Sequence, residues 1–149
     1  MRLDKANALR IACPRLPFSA NARLPPASEV NWMARPIVTL TTDFGSSDYY
    51  VGAMKGVVLG VCPDAEVVDL CHDCLPYDIL DAAFTIAQSY QYYPSRTIHI
   101  VVVDPGVGTQ RRPILVSGDK HFFVAPDNGV LSFIYPDQEK LSVYHVTGS

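Results

Sequence analysis

Two carboxylates and one guanidinium stand at the points of this sequence where buried strands end and polar loops begin. Asp104 directly follows the β-branched run at residues 98–103, and Arg111 lies farther along the same glycine-containing loop. Asp43 follows a second apolar run, at residues 37–41. An acid and a fixed cation on one short loop would share a pocket, and such a pocket suits a small polar ligand.

The strands that must position these residues have the composition of buried parallel strands. A nearly unbroken β-branched run, as at residues 98–103, is typical of a strand covered on both faces by helices. Because the carboxyl ends of parallel strands meet at one edge of a sheet, we expect Asp43 and Asp104 to converge on one crevice. From these residues alone, the aspartates could also merely cap turns, and Arg111 could be a surface guanidinium.

Apolar runs and helical periods alternate along the chain from Pro36 onwards. The predicted strands are residues 37–41, 66–70 and 98–103, a hairpin of residues 114–117 and 121–124, and a last strand at residues 141–146. The predicted helices are residues 51–61 and 79–90. This order predicts an α/β fold, a mostly parallel sheet with helices on both faces in a Rossmann-like layered domain, plus an added hairpin.

The amino-terminal stretch differs from the rest of the chain. Residues 1–35 contain repeated prolines and scattered arginines without a sustained apolar period. Such a segment is not expected to pack as part of the domain. We therefore predict that residues 1–35 are disordered or a mis-called extension, and that residues 36–149 form one α/β domain.

Composition and charge limit the possible partners. The chain has 149 residues and a net charge of -3, which provides no basic surface for nucleic acid or an anionic membrane. No apolar run approaches the ~20 residues that a transmembrane helix requires. The expected partner is a small molecule, and the expected location is cytoplasmic because no secretory signal is recognisable.

The cysteines give no clear metal or redox pattern. Four are present, and two of them enclose His72 in the sequence Cys71-His72-Asp73-Cys74. A structural zinc site usually takes its four ligands from two such pairs, and a thioredoxin-type motif begins a helix after a strand. We therefore expect no metal and reduced thiols.

Three separated stretches resemble the motifs of one enzyme family. They read TTDFGSSDYYVGAMKGV at residues 41–57, DPGVGTQRR at residues 104–112 and APDNGVLS at residues 125–132. In this order they are similar to the S-adenosylmethionine hydroxide adenosyltransferase family, whose relatives include the fluorinase and the chlorinase. The resemblance runs from about Arg35 to the last residue. It implies hydrolysis of S-adenosyl-L-methionine to adenosine and L-methionine by attack of water or hydroxide at C5′ of the ribose, without a cofactor.

The resemblance also implies roles for particular residues. Asp104 and Arg111 match two members of a catalytic Asp-Arg-His set that binds and polarises the water. Asp43 matches the aspartate that accepts hydrogen bonds from the two ribose hydroxyls, and Asp48 matches a position beside the nucleoside. Tyr77 matches an aromatic position that lines the pocket, although it could equally be a packing tyrosine. Halogenating relatives carry a tyrosine where Asp104 stands, so water is the expected nucleophile.

Parts of the family pattern lie beyond the last residue of this sequence. In relatives the catalytic histidine and a carboxyl-terminal β-barrel domain follow the matched region, and the subunits form a homotrimer. The chain is therefore expected to be truncated, to lack the barrel and to be inactive alone. Because the resemblance begins just after Met33, that methionine is the expected initiator.

Two alternatives to the enzyme remain open. The chain could be a non-catalytic nucleoside-binding or assembly fragment. If the resemblance is ignored, Asp43, Asp69 and Asp104 could hold the magnesium ion of a phosphohydrolase. That second alternative is disfavoured because no Gly-Lys-Ser/Thr phosphate-binding sequence follows the glycines.

Overall fold

One mixed β-sheet runs through the part of the chain that the structure describes. This computed structural model describes residues 2–4 and 35–147. The strands are β1 (Arg2–Asp4), β2 (Ile37–Thr42), β3 (Glu66–Cys71), β4 (Ile98–Val102), β5 (Pro113–Ser117), β6 (Phe122–Pro126) and β7 (Ser142–Thr147). Their order across the sheet is β1-β7-β5-β6-β4-β2-β3. The helices are α1 (Tyr50–Val61) and α2 (Ile79–Ser89), with 3₁₀ helices at Tyr90–Tyr92 and Tyr135–Asp137.

The strands that carry the predicted site residues lie side by side. β2 pairs in parallel with β3 on one side and with β4 on the other. The chain passes from β2 through α1 to β3, and then through α2 to β4 on the opposite side of β2. The strand order therefore reverses between β2 and β4. This is the topological switch point at which open α/β sheets bind ligands.

The two helices cover opposite faces of the sheet. α1 contributes Val58 to a buried cluster with Ile98 on one face. α2 contributes Ile86 to a larger cluster with Val101 and Phe123 on the other face. Burial of each such side chain contributes roughly 1.5–3 kcal/mol to folding, so these clusters fix the sheet between its helices.

Aspartates stabilise the beginnings of both helices. Asp78 Oδ1 accepts hydrogen bonds from the N–H groups of Leu80 and Asp81, both at 3.0 Å. Asp48 Oδ1 accepts a hydrogen bond from the Tyr50 N–H at 2.9 Å. Among the described residues, no helix has the length and apolarity to cross a membrane.

The predicted α/β fold is confirmed. The sheet is mixed and has helices on both faces, and β5 and β6 form the predicted antiparallel hairpin beside the parallel strands. The bounds of the predicted helices and strands from residue 36 onwards agree with those observed to within about two residues.

The amino-terminal prediction falls mostly outside the described residues. The residues that are described there, Arg2–Asp4, form β1, which pairs in parallel with β7 at the edge of the sheet. The sequence did not predict this pairing, because three residues are too few to show an apolar alternation. For residues 5–34 the expectation stays a prediction.

Candidate functional site

Asp104 and Arg111 form an ion pair at the carboxyl end of β4. Arg111 Nε lies 2.9 Å from Asp104 Oδ1, and the side chains are 32% and 10% exposed respectively. The same oxygen accepts a hydrogen bond from the Gly106 N–H at 2.9 Å. Within the described residues Asp104 Oδ2 makes no hydrogen bond, so its lone pairs are available to a ligand or a water molecule.

The loop at residues 105–112 folds back on itself to make this pair. The Thr109 N–H donates to the Gly106 carbonyl at 3.2 Å, and Thr109 Oγ1 accepts from the Arg111 N–H at 3.3 Å. Gly108 has a φ of 84°, which a residue with a Cβ adopts only under strain. These turns aim the Arg111 side chain back towards β4.

The side chain of Asn128 is hydrogen-bonded to the backbone at the end of β4. Its Nδ2 donates to the Val103 carbonyl at 2.9 Å, across 25 residues of sequence. Its Oδ1 accepts from the Val130 N–H at 3.1 Å. Asn128 therefore fixes the residue that precedes Asp104. The sequence did not predict this contact, because a side-chain bond to a distant carbonyl leaves no local pattern.

Asp43 lies one strand away, at the end of β2. Its Oδ2 accepts a hydrogen bond from the Tyr77 N–H at 2.9 Å. Its Oδ1 makes no hydrogen bond within the part of the chain that the structure describes. Tyr77 has a φ of 63° and its side chain is 68% exposed. A left-handed backbone at a residue with a side chain is strained, and such strain is found most often at ligand sites.

The register of the sheet brings the two carboxylates to one edge. Thr42 of β2 lies opposite Val102 of β4, so Asp43 and Asp104 follow adjacent strands, which run ~4.8 Å apart. A cavity of about 250 Å³ lies at this edge. It is lined by the Asp104–Arg111 pair and by residues of β4, of β6 and of the loop that follows β4, including Ile100, Val102, Val107, Val124 and Pro126. Asp43 is not among its lining residues.

Asp48 occupies a different environment from the other predicted residues. It is exposed, and its Oδ1 is engaged with the first turn of α1. The rings of Tyr49 and Tyr50 stack beside it with centroids 4.6 Å apart, and Phe44 lies 5.6 Å from Tyr50. Sequence reasoning did not single out these rings, although adjacent tyrosines after a strand were a visible signal. Exposed aromatic faces of this kind stack on nucleobases.

The structure places no metal-binding group at this edge. Among residues 2–4 and 35–147, no three His, Cys, Asp or Glu side chains are arranged to hold a metal ion, so Asp43, Asp69 and Asp104 do not form one. Cys71 and Cys74 are free thiols.

Comparison with known proteins adds to this geometry. The SAM hydroxide adenosyltransferase N-terminal domain family matches residues 38–149. The chain belongs to this family. The chain is 36% identical over 115 residues to an (R)-S-adenosyl-L-methionine hydrolase of Methanocaldococcus jannaschii. The matched region covers 74% of this chain and 42% of the hydrolase. A fluorinase of Nocardia brasiliensis is 28% identical over 136 residues, covering 76% of this chain and 45% of the fluorinase.

A solved structure has the same fold. The chain matches a conserved protein of Thermotoga maritima with a TM-score of 0.70 and 34% identity, covering 74% of this chain and 42% of that protein. The chain therefore spans less than half the length of each of these three proteins.

Proposed function

We propose that this chain forms the nucleoside-binding and water-positioning part of an S-adenosyl-L-methionine hydrolase that produces adenosine and L-methionine. The observation that carries the proposal is the Asp104–Arg111 ion pair at the end of β4, next to Asp43 at the end of β2. Family membership and relatives named as S-adenosyl-L-methionine hydrolases support it.

The proposed substrate contacts follow from the free atoms at this edge. Asp43 Oδ1 is available to accept a hydrogen bond from a ribose hydroxyl, while Oδ2 is held by Tyr77. The exposed Tyr77 ring would then lie beside the substrate, where an aromatic face attracts a sulfonium by a cation–π interaction. Asp48 would contact the nucleoside from the beginning of α1.

The proposed reaction is an in-line displacement at C5′ of the ribose. The water oxygen forms a bond to C5′ as the C5′–S bond breaks, and the bonding pair leaves with sulfur as the neutral thioether of methionine. Since the leaving group needs little help, the rate depends on placing the oxygen in line and excluding bulk water. Asp104 Oδ2 orients the water and accepts its proton, and Arg111 stabilises negative charge on the oxygen. The reaction needs no cofactor.

The proposal extends to assembly and location. We expect a homotrimer for full-length proteins that carry this domain, a cytoplasmic location, and little turnover by this chain alone. Light scattering of such a full-length protein tests the trimer. The second candidate, a non-catalytic nucleoside-binding or assembly fragment, is favoured by the exposed rings of Tyr49 and Tyr50, which can stack on a nucleobase without any reaction.

One experiment separates these functions. The purified chain is incubated with S-adenosyl-L-methionine, adenosine and methionine are measured by chromatography, and adenosine binding is measured by calorimetry. Asp104→Ala and Asp43→Ala are compared with Asp64→Ala, an exposed carboxylate before β3 at the opposite edge. Because little turnover is expected of this chain alone, a low rate of adenosine release that Asp104→Ala abolishes is enough to support the hydrolase. Adenosine binding without turnover, lost in Asp43→Ala, supports the binding fragment, and the absence of both contradicts each function.

A further inference from the structure

His72 joins the loops that follow β2 and β3. It stands directly after β3, and its side chain is 9% exposed. Its Nδ1 lies 2.9 Å from Thr42 Oγ1, and its carbonyl accepts the Gly45 N–H at 2.7 Å. Thr42 and Gly45 lie on either side of Asp43, so His72 contacts both ends of the short segment that carries this carboxylate.

Asp69 and Lys55 orient the His72 ring. His72 Nε2 lies 3.0 Å from Asp69 Oδ1, within ion-pair distance but without the geometry of a hydrogen bond. Lys55 Nζ lies 2.6 Å from Asp69 Oδ2. The contacts with His72 and then Lys55 lower the pKa of Asp69, so its carboxylate is charged at neutral pH. A carboxylate at Nε2 favours the tautomer with the proton on Nε2.

That tautomer defines the direction of the next hydrogen bond. With its proton on Nε2, His72 presents Nδ1 as an acceptor, and the Thr42 hydroxyl donates to it. The same Thr42 oxygen accepts the Phe44 N–H at 3.3 Å. The series from Lys55 through Asp69, His72 and Thr42 therefore ends on the backbone at Phe44, the residue after Asp43.

Two further hydrogen bonds connect the same two loops. The Cys74 N–H donates to the Thr42 carbonyl at 3.3 Å, and the Tyr77 N–H donates to Asp43 Oδ2 at 2.9 Å. Thr42 is fully buried. Neither its hydroxyl nor the His72 ring can therefore serve as a nucleophile towards a ligand at the edge of the sheet, and the arrangement is one that holds other groups in place.

We propose that His72 is a positioning residue for Asp43. Oriented by Asp69, it fixes the Thr42–Gly45 segment so that Asp43 Oδ1 faces the ligand. The inference rests on the proposed function in taking Asp43 as the carboxylate that binds the ribose. Loss of the ring would let this segment open while β2 and β3 stay paired, because the sheet hydrogen bonds do not involve the ring.

The test compares His72→Ala with His72→Asn, whose amide oxygen can accept from Thr42. Leu115→Ala is the control for general loss of stability, since Leu115 is buried in a separate cluster with Val146. Amide hydrogen exchange is measured at Gly45 and Tyr77, and adenosine is titrated into each protein. We expect His72→Ala to speed exchange at both amides and to weaken adenosine binding about tenfold. We expect His72→Asn to keep the wild-type exchange rates and affinity for adenosine. Leu115→Ala should leave the affinity unchanged and should not speed exchange at Gly45 and Tyr77 more than elsewhere in the sheet.

Several results would overturn the positioning role. Unchanged exchange and affinity in His72→Ala would do so, as would exchange that rises uniformly across the protein. If His72→Ala does not fold, His72→Asn decides: wild-type protection and affinity support the role, and loss of either contradicts it. If the wild-type chain does not bind adenosine, the proposed function fails, while the exchange rates still decide whether His72 holds the Asp43 segment.

Discussion

The backbone of Gly106 packs directly against the guanidinium of Arg111. A Cβ added at Gly106 would lie 2.6 Å from Arg111 Nη2 and 2.9 Å from Nε. The φ of Gly106 is not among the positive values, so this contact, and not the backbone conformation, requires glycine. The position is therefore a sensitive test of the ion pair.

Gly106→Ala should separate Arg111 from Asp104 without unfolding the sheet. The methyl group would occupy the space of the guanidinium, and the side chain of Arg111 would move into solvent. In NMR spectra the Arg111 Nε–H signal should lose its protection from exchange. Val107→Ala, on the same loop at a side chain that is 78% exposed, should leave that signal unchanged. A protected Arg111 Nε–H in Gly106→Ala would show that the loop accommodates the methyl group.

The two carboxylates should differ in their kinetic effects, in a protein that carries this domain and hydrolyses S-adenosyl-L-methionine. Asp104→Asn and Arg111→Ala should lower kcat by about 100-fold or more, because they act on charge that develops during the reaction. Asp43→Ala should chiefly raise KM, because the ribose is bound in both ground and transition states. Steady-state kinetics with thermal melts as the folding control would measure this. An Asp43→Ala variant with abolished kcat and unchanged KM, beside an active Asp104→Asn, would reverse the proposed roles.

Folding stability should fall as the pH is lowered below neutrality. His99 is fully buried, with Nδ1 2.7 Å from Thr39 Oγ1 and Nε2 3.4 Å from His121 Nδ1. Burial, and then the neighbouring His121, lowers the pKa of His99 from 6.5 to about 3. Burial, followed by the charge of Lys120, also lowers the pKa of His121.

The sign of this effect follows from proton uptake. Between pH 6.5 and about 3 the unfolded chain protonates at His99 and the folded chain does not, so His99 alone should cost about 1.4 kcal/mol of unfolding free energy per pH unit. Above pH 6.5 its contribution should be constant. Urea unfolding from pH 8 to pH 4 measures the slope, and His99→Gln should reduce it. An equal slope in His99→Gln would assign the acid sensitivity to other groups.

Cys74 should resist alkylation in the folded protein. Burial raises the pKa of its thiol to about 12, so the reactive thiolate is scarce at neutral pH. Cys71 is more exposed. Iodoacetamide at pH 7.5 should therefore modify Cys71 before Cys74, as read by mass spectrometry of peptides. Both should react similarly in guanidinium chloride, which serves as the control. Equal rates in the native protein would mean that the loop after β3 opens readily.

Sequence patterns predicted the strands and helices that carry the site better than the side-chain contacts within it. The β-branched run before Asp104 and the helical period that begins after Asp48 are local signals, because the period of the side chains is set by neighbouring residues. The proximity of Arg111 to Asp104 could also be predicted from the sequence, because one short loop joins them. These features needed no knowledge of distant contacts.

The remaining features depend on contacts between distant parts of the chain. His72 was visible only as a histidine between two cysteines, and its bond to Thr42 arises once β2 and β3 are paired. The requirement for glycine at position 106 follows from where Arg111 lies, which the sequence of the loop does not specify. The pairing of Arg2–Asp4 with β7 joins the two ends of the chain.

The pairing of β2 with β4 also governs when the site can form. It joins positions such as Thr39 and His99, which are 60 residues apart. Contacts of such long sequence separation are made late in folding, after the intervening chain has been ordered. During synthesis β2 would leave the ribosome with one edge unpaired until β4 follows it. A nascent chain that ended before β4 would carry Asp43 and its partner Tyr77 but neither Asp104 nor Arg111, so the ion pair proposed to position the water would form only after the loop with Arg111 had been made.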